Sequence, residues 1–394
     1  MDKNKAHFDV MSLFNRKKSD FVKISAPMVR YSKLQFRSLL RSYNCDLCFT
    51  PMILADSFCQ SSKARNNEFT TNSYDSPTIT QFAANNVNDF VTASKLISPF
   101  CDGVDLNCGC PQRWAKHMGI GCVMLENPQI IFDMVQECRN QIARPFTVSV
   151  KMRILKDVKK TLEVCKQLEN CGISFLTIHS RTSSQLTGDI DLNTLKLITE
   201  SVNVPIIANG GVKSLEDCQK LHQEVNCQGV MVANGLLTNP MLFTGSKEIT
   251  IDCIQKWINI CFNSTIKPDD YNSTNKLTIK EKPYNLTFQC FHHHLVFMLE
   301  KFLPRAKRRI FNDFKRFDQV LDFLADEFKI FPQLFDLEKF KQHQISNLVY
   351  NCEINNKENV VCEYDYEKDG NFFKNKVQFD GNEEFGIQEL YLEG

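Results

Sequence analysis

At 394 residues, with 43% hydrophobic and 24% charged side chains, the chain can bury one large core and carry a smaller second domain. Its composition excludes a disordered or collagen-like polypeptide, and no apolar run approaches the roughly 20 residues of a membrane helix. The formal net charge of +1 is unevenly held: residues 351–394 contain eleven acidic and four basic side chains, leaving +8 on residues 1–350. A positive body suits a polyanionic partner, and the acidic end reads as a loosely attached tail over 349–394.

Residues 1–20 are polar and are expected to be flexible. Lys23–Ala26 reads as a first short strand ending at Pro27-Met28, followed by an amphipathic helix over Leu34–Tyr43. Asp46–Thr50 and Thr78–Phe82 are the second and third strands, with a helix over Val87–Ile97. The fourth strand, Gly103–Leu106, is apolar except for Asp105 and stops at Asn107-Cys-Gly-Cys-Pro111, where Gly109 allows a tight turn and Pro111 cannot extend a ladder. A helix over Pro128–Ala143 leads to strand five, Phe146–Lys151, and a helix over Asp157–Cys171 to strand six, Ser174–His179. Leu192–Val202 is helical, strand seven is Pro205–Ala208, Ser214 opens a further helix, and Gln228–Val232 is strand eight.

Strands alternating with helices of this length predict a parallel sheet with right-handed crossovers. Eight such units favour a closed (β/α)8 TIM barrel over residues 21–248. Every polar or glycine-rich signature follows a strand, the end at which barrels bind ligands. Beyond Gly245 the strand signal stops. Ile251–Phe262, Phe288–Phe302 and Phe311–Phe328 have helical periodicity, predicting a smaller helical domain over 249–348, with 263–285 a polar surface insert. Within it, Lys301–Arg316 holds seven basic residues against one acid. Arg305, Lys307, Arg308 and Arg309 are candidate contacts to a phosphate backbone. His292-His-His294 matches no metalloprotease pattern and is expected to face solvent or RNA.

Metal chemistry is not expected. Cys45-Asp-Leu-Cys48 is a lone CxxC, and two thiols on one strand at that spacing would face opposite sides. Seventeen cysteines without a signal-type N-terminus instead predict a reducing, cytoplasmic or nuclear, compartment. Gly119-Ile-Gly121 is not a dinucleotide fingerprint, so a nicotinamide has no dedicated domain.

Asn107-Cys-Gly-Cys-Pro111 with downstream Gly121 resembles the catalytic loop of the tRNA dihydrouridine synthases. The longer run to Ala115 resembles the branch that reduces uridines 20a and 20b of the tRNA D-loop. The resemblance covers about residues 21–345 and implies a barrel with bound FMN, a helical tRNA-binding domain, and NADPH or NADH as transient reductant. It implies that Pro27, Met28, Val29 and Gln81 line the flavin ring, and that Asn209-Gly210-Gly211 and Ala233-Asn234 hold its phosphate. Lys151 and His179 would stabilise the negative charge of a reduced flavin. Asn107, Arg153 and Arg181 fall in the substrate site, and Cys110 is the proton donor.

The chemistry agrees with those roles. Hydride addition at C6 of uracil leaves an enolate that needs a proton at C5, and an unperturbed thiol is mostly protonated at neutral pH. Asn107 can offer an acceptor and donors to a pyrimidine edge. Two departures stand out: Asn234 and Ser180 occupy positions where the family usually has arginine and glycine. Two other readings remain, a barrel flavin reductase of a free pyrimidine or small enone, and a tRNA-binding relative without catalysis. The protein is expected to be a monomer.

Overall fold

The computed structural model describes residues 7–15, 17, 20–272 and 286–350. The first residues of the chain, most of the polar insert and the acidic tail from 351 onward lie outside the described residues.

Eight parallel strands form the centre: β1 (Val22–Ser25), β2 (Leu47–Phe49), β3 (Thr78–Ala83), β4 (Gly103–Cys108), β5 (Thr147–Arg153), β6 (Phe175–His179), β7 (Ile206–Asn209) and β8 (Gly229–Val232). Neighbours pair in chain order, and β1 pairs with both β8 and β2, so the sheet closes on itself as a (β/α)8 barrel. Strands covered on both faces must be apolar along their whole length, and β3 and β4 are buried at every position. The two-residue run Ile53–Leu54 adds to the outer end of β3.

β4 runs two residues past its apolar pattern. Asn107 and Cys108 sit opposite Lys151 and Met152 of β5. Neither interrupts the ladder, because a strand is made by its backbone; Asn107 turns into the strand-end cavity while Cys108, on the opposite face, packs in the core. Gly121 then carries the chain back over this loop at φ 75°, where an added Cβ would stand 2.6 Å from the Cys110 carbonyl oxygen. No other residue type fits that approach.

The polar start is ordered where it can be described. Val10–Phe14 forms a 3-10 turn capped by Asp9, with Val10 fully buried. The Phe8 amide donates to Asp102 at 2.9 Å, and the Phe14 ring lies 5.6 Å from Phe175. These apolar residues, spaced through a hydrophilic run, cover the strand starts opposite the ligand-binding end.

The C-terminal helices are Ile251–Asn263, Phe288–Leu299, Arg305–Asn312, Phe317–Phe328 and Leu337–His343. The helix expected over Phe311–Phe328 is therefore two helices. The Gln319 side chain accepts the backbone N–H groups of Lys315 and Arg316, starting a new helix there. The seven-residue helix from Leu337, capped by Asp336, is too short for periodicity to reveal. These helices and the barrel share one continuous hydrophobic core.

His292-His-His294 was expected at the surface, but His292 and His294 are buried. His294 stacks on Phe36 with centroids 4.2 Å apart, and its Nε2 lies 3.1 Å from the Tyr31 carbonyl oxygen. His293 Nδ1 lies 3.1 Å from the Tyr31 hydroxyl, and His292 Nε2 2.8 Å from the Phe311 carbonyl oxygen. Burial holds all three imidazoles below their ordinary pKa, His293 at about 4 and His294 at about 3. All three are neutral: His293 and His294 tie the helix Phe288–Leu299 to Tyr31 in the loop after β1, and His292 ties it to the helix Arg305–Asn312. Past the last helix the chain returns to the barrel, where the Ser346 amide donates to Thr71 and Tyr350 packs edge-on against Phe58 and Phe100.

Candidate active site

The C-terminal strand ends surround a cavity that opens to solvent. The loop after β1 contributes Pro27 and Val29, and β3 contributes Gln81. The end of β4 and its turn contribute Asn107, Gly109, Cys110 and Pro111, while β5 brings Lys151 and Arg153, and β6 brings His179. Met28, expected beside them, points into the core instead, its amide held by the Ser32 hydroxyl at 2.8 Å.

The cavity floor is a chain of hydrogen bonds. Ser149 Oγ donates to Asp105 Oδ1 at 2.7 Å, and Gln81 Nε2 donates to Asp105 Oδ2 at 2.8 Å. Asn107 Nδ2 donates to Gln81 Oε1 at 2.9 Å. Asn107 Oδ1 accepts the backbone N–H groups of Gly109 and Cys110 at 3.1 and 3.0 Å. Asn107 therefore offers the cavity no acceptor, contrary to the expectation that it would present both kinds of group, because two amides already occupy its carbonyl oxygen. Asp105 was not among the expected site residues. Burial raises its pKa to about 6, against the opposing pull of Gln81, Ser149 and Lys151.

His179 is neutral. Burial holds its pKa far below the ordinary value, and Lys151, Arg153 and Arg181 lower it further. Arg181 lies close to the ring, its Nη1 3.3 Å from His179 Nε2, and donates twice to the Gly188 carbonyl. Arg153 donates to the carbonyls of Gly109, Thr182 and Gln185, tying the cysteine turn to the loop after β6. Both arginines thus hold loops as well as standing at the site. Cys110 lies at the mouth in a small apolar cluster with Met52, Leu54 and Ile120, flanked by Val29 and Trp114.

Asn209 ends β7 and Gly210 and Gly211 follow it, while Ala233 and Asn234 follow β8, outside the lining of the cavity. Asn209 donates through Nδ2 to the Met231 carbonyl at 3.0 Å, while its buried Oδ1 has no protein partner among the described residues. Gly210, at φ 118°, lies so close to His179 that a Cβ would stand 3.0 Å from the ring. The short helix Asn234–Thr238 starts at Ala233, which has no side chain to cap its first amides.

Of the four basic candidates on Arg305–Asn312, Lys307 pairs with Glu327, and Arg308 donates to the Glu300 carbonyl at 3.1 Å. Arg305 and Arg309 are exposed, with no ion pair among the described residues. Cys45 and Cys48 do not face apart, because Cys45 precedes β2, and their sulfurs lie 3.7 Å apart. No cluster of three potential metal ligands occurs among the described residues, and no described helix is long and apolar enough to cross a membrane.

A closed barrel with a thiol, an ammonium group and a neutral imidazole around one strand-end cavity is the architecture of a barrel enzyme. The family model described as dihydrouridine synthase (Dus) matches residues 24–328, and the chain belongs to that family of oxidoreductases. It is 41% identical over 310 residues, covering 78% of this chain and 92% of the relative, to a human protein named tRNA-dihydrouridine(20a/20b) synthase [NAD(P)+]-like. The Schizosaccharomyces pombe tRNA-dihydrouridine(20a/20b) synthase [NAD(P)+] is 35% identical over 310 residues, 78% of this chain and 88% of that one. Among solved structures, an old yellow enzyme homologue from Zymomonas mobilis is similar at TM-score 0.44 and 11% identity, over 60% of this chain and 92% of that one, too distant to bear on function.

Proposed function

We propose that the chain reduces the C5=C6 bond of uridine in tRNA, at D-loop positions 20a and 20b, with FMN as cofactor and NADPH or NADH as reductant. The observation that carries this reading is the single cavity shared by Cys110, Lys151 and neutral His179.

The residues present fit a flavin mononucleotide. Gly210 and Gly211, both at positive φ, leave backbone amides unobstructed, and the uncapped start of Asn234–Thr238 suits an anion. The buried Asn209 Oδ1 awaits a donor. Asn209–Gly211 and Ala233–Asn234 would hold the phosphate, with Pro27, Val29, Gln81, Lys151 and His179 around the ring system. A bound flavin supplies the two-electron reducing equivalent for the pyrimidine and recovers it from the nicotinamide.

The chain's own groups supply the rest. Lys151 carries positive charge to the site from the end of a buried strand, where developing negative charge on a ring oxygen is stabilised without reorganisation. His179, being neutral, donates or accepts one hydrogen bond without adding a second cation. Cys110 holds a proton at Sγ over the mouth, for delivery to C5 of the base. Reaching that mouth requires a flipped nucleotide, and the exposed Arg305 and Arg309 would supply cations for the flanking phosphates. A small free substrate would need no such cations, which favours tRNA over a free pyrimidine.

Cys110→Ala should keep its cofactor and its tRNA affinity yet lose about 10²–10⁴ in turnover, the scale of a general acid. Dihydrouridine formation is measured on tRNA from cells lacking this protein. Wild-type turnover by the variant would exclude the assigned role.

A further inference from the structure

We infer that Asp105 is a positioning residue that fixes the polarity of the side-chain amides of Gln81 and Asn107, so that the cavity floor presents N–H donors and reads carbonyl oxygens. The polarity is set at both ends of the chain. At one end stand the backbone N–H groups of Gly109 and Cys110, which can only donate, so the atom between them is the Asn107 oxygen. At the other end stands the Asp105 carboxylate, an acceptor, so the Gln81 atom facing it is nitrogen. The middle link, Asn107 Nδ2 to Gln81 Oε1, is then the one pairing that satisfies both ends.

Each amide nitrogen carries two hydrogens and commits one, Gln81 to Asp105 and Asn107 to Gln81. Both residues line the cavity, so the remaining hydrogen of each is available to a ligand. The Asn107 oxygen has both lone pairs taken, and the Gln81 oxygen has one taken. A ring carbonyl is matched by both residues of this floor and a ring N–H by Gln81 alone; that consequence for the pyrimidine or flavin edge rests on the function proposed above. The positioning itself does not, because it concerns only how the Cys110 turn is held.

Asp105→Asn tests the polarity. Its Oδ1 can still accept from Gln81 while its Nδ2 donates to the Ser149 hydroxyl, which can turn to the Val104 carbonyl now 3.5 Å away. Asp105→Leu keeps the branching pattern, with methyls in place of the oxygens and no acceptor, and Gln81→Met breaks the next link. The primary readout is the rate at which iodoacetamide alkylates Cys110 in the protein as purified, followed by peptide mass spectrometry, with the partly exposed Cys171 as internal reference. Loosening one hydrogen-bonded link corresponds to about a tenfold change in rate. Asp105→Leu and Gln81→Met should each speed Cys110 alkylation by about that factor relative to Cys171, with no further gain when combined, while Asp105→Asn stays near wild type. Wild-type alkylation in folded Asp105→Leu overturns the inference, as does an effect of Asp105→Asn equal to that of leucine. If the leucine variant does not fold, wild-type alkylation in Gln81→Met overturns it. Failure of the protein to form dihydrouridine would sink the proposed reaction and leave these alkylation rates unaffected.

Discussion

Burial makes the negative charge of Asp105 costly to keep. In the unfolded chain its carboxyl ionises near the ordinary value of 3.8, and burial lifts that to about 6 in the fold. Between the two values the folded protein binds a proton that the unfolded chain has released. The stabilisation this gives is full below the unfolded value and is lost as pH rises through about 6. The difference amounts to about 3 kcal/mol. Asp105→Asn is neutral at every pH and escapes it, so its melting temperature should match wild type in acid and exceed it increasingly as pH passes through about 6. A gap that is constant with pH would mean that the carboxyl is not the titrating group. The strand pattern exposes Asp105 as the one polar breach in an apolar run, but its partners are not legible there. Gln81, Asp105 and Ser149 stand side by side in register on β3, β4 and β5, more than twenty residues apart in the chain. Cys110, Lys151 and His179 were easier to find, since each simply ends or follows a strand and the closed barrel gathers strand ends at one mouth.

At the level of single elements, the helix Arg305–Asn312 separates its cations by use. Lys307 and Arg308 are engaged with Glu327 and Glu300, whereas Arg305 and Arg309, one turn apart, face solvent together. The double substitution Arg305→Glu with Arg309→Glu should weaken tRNA binding and flatten its salt dependence by about two phosphate contacts, roughly 0.7 to 0.9 per contact in log–log slope. NADPH oxidation in the absence of tRNA should not change. Filter binding across a salt series reads the first, and loss of both together would make the helix structural. Sequence periodicity located this region but misjudged its joints. The break before Phe317 depends on a Gln319 side chain reaching back to two amides, and periodicity, which averages over turns, does not register such local capping. The histidine triplet misled for a related reason: a polar run predicts exposure unless the carbonyls that will receive it are known, and Tyr31 lies 263 residues from His294.

For the molecule as a whole, barrel and helices are built as one body. His292 and His294 are buried between the loop after β1 and the basic helix, and that same loop supplies Pro27 and Val29 to the cavity. The segment up to Tyr350 returns to close against Phe58 and Phe100, with the Arg65 guanidinium 5.4 Å from the ring centroid of Tyr350. A fragment ending at residue 248 would uncover Phe36, the ring on which His294 stacks and against which Trp257 packs edge-on. Such a fragment should aggregate or bind less cofactor than the full chain, measured as flavin absorbance per mole of soluble protein; full cofactor content in a monodisperse fragment would contradict this. The Tyr31 clasp has a wider consequence. A nucleic acid gripping the outer helix would pull on the same polypeptide that walls the reaction chamber, so recognising the right RNA and shaping the space for its base would be mechanically a single act.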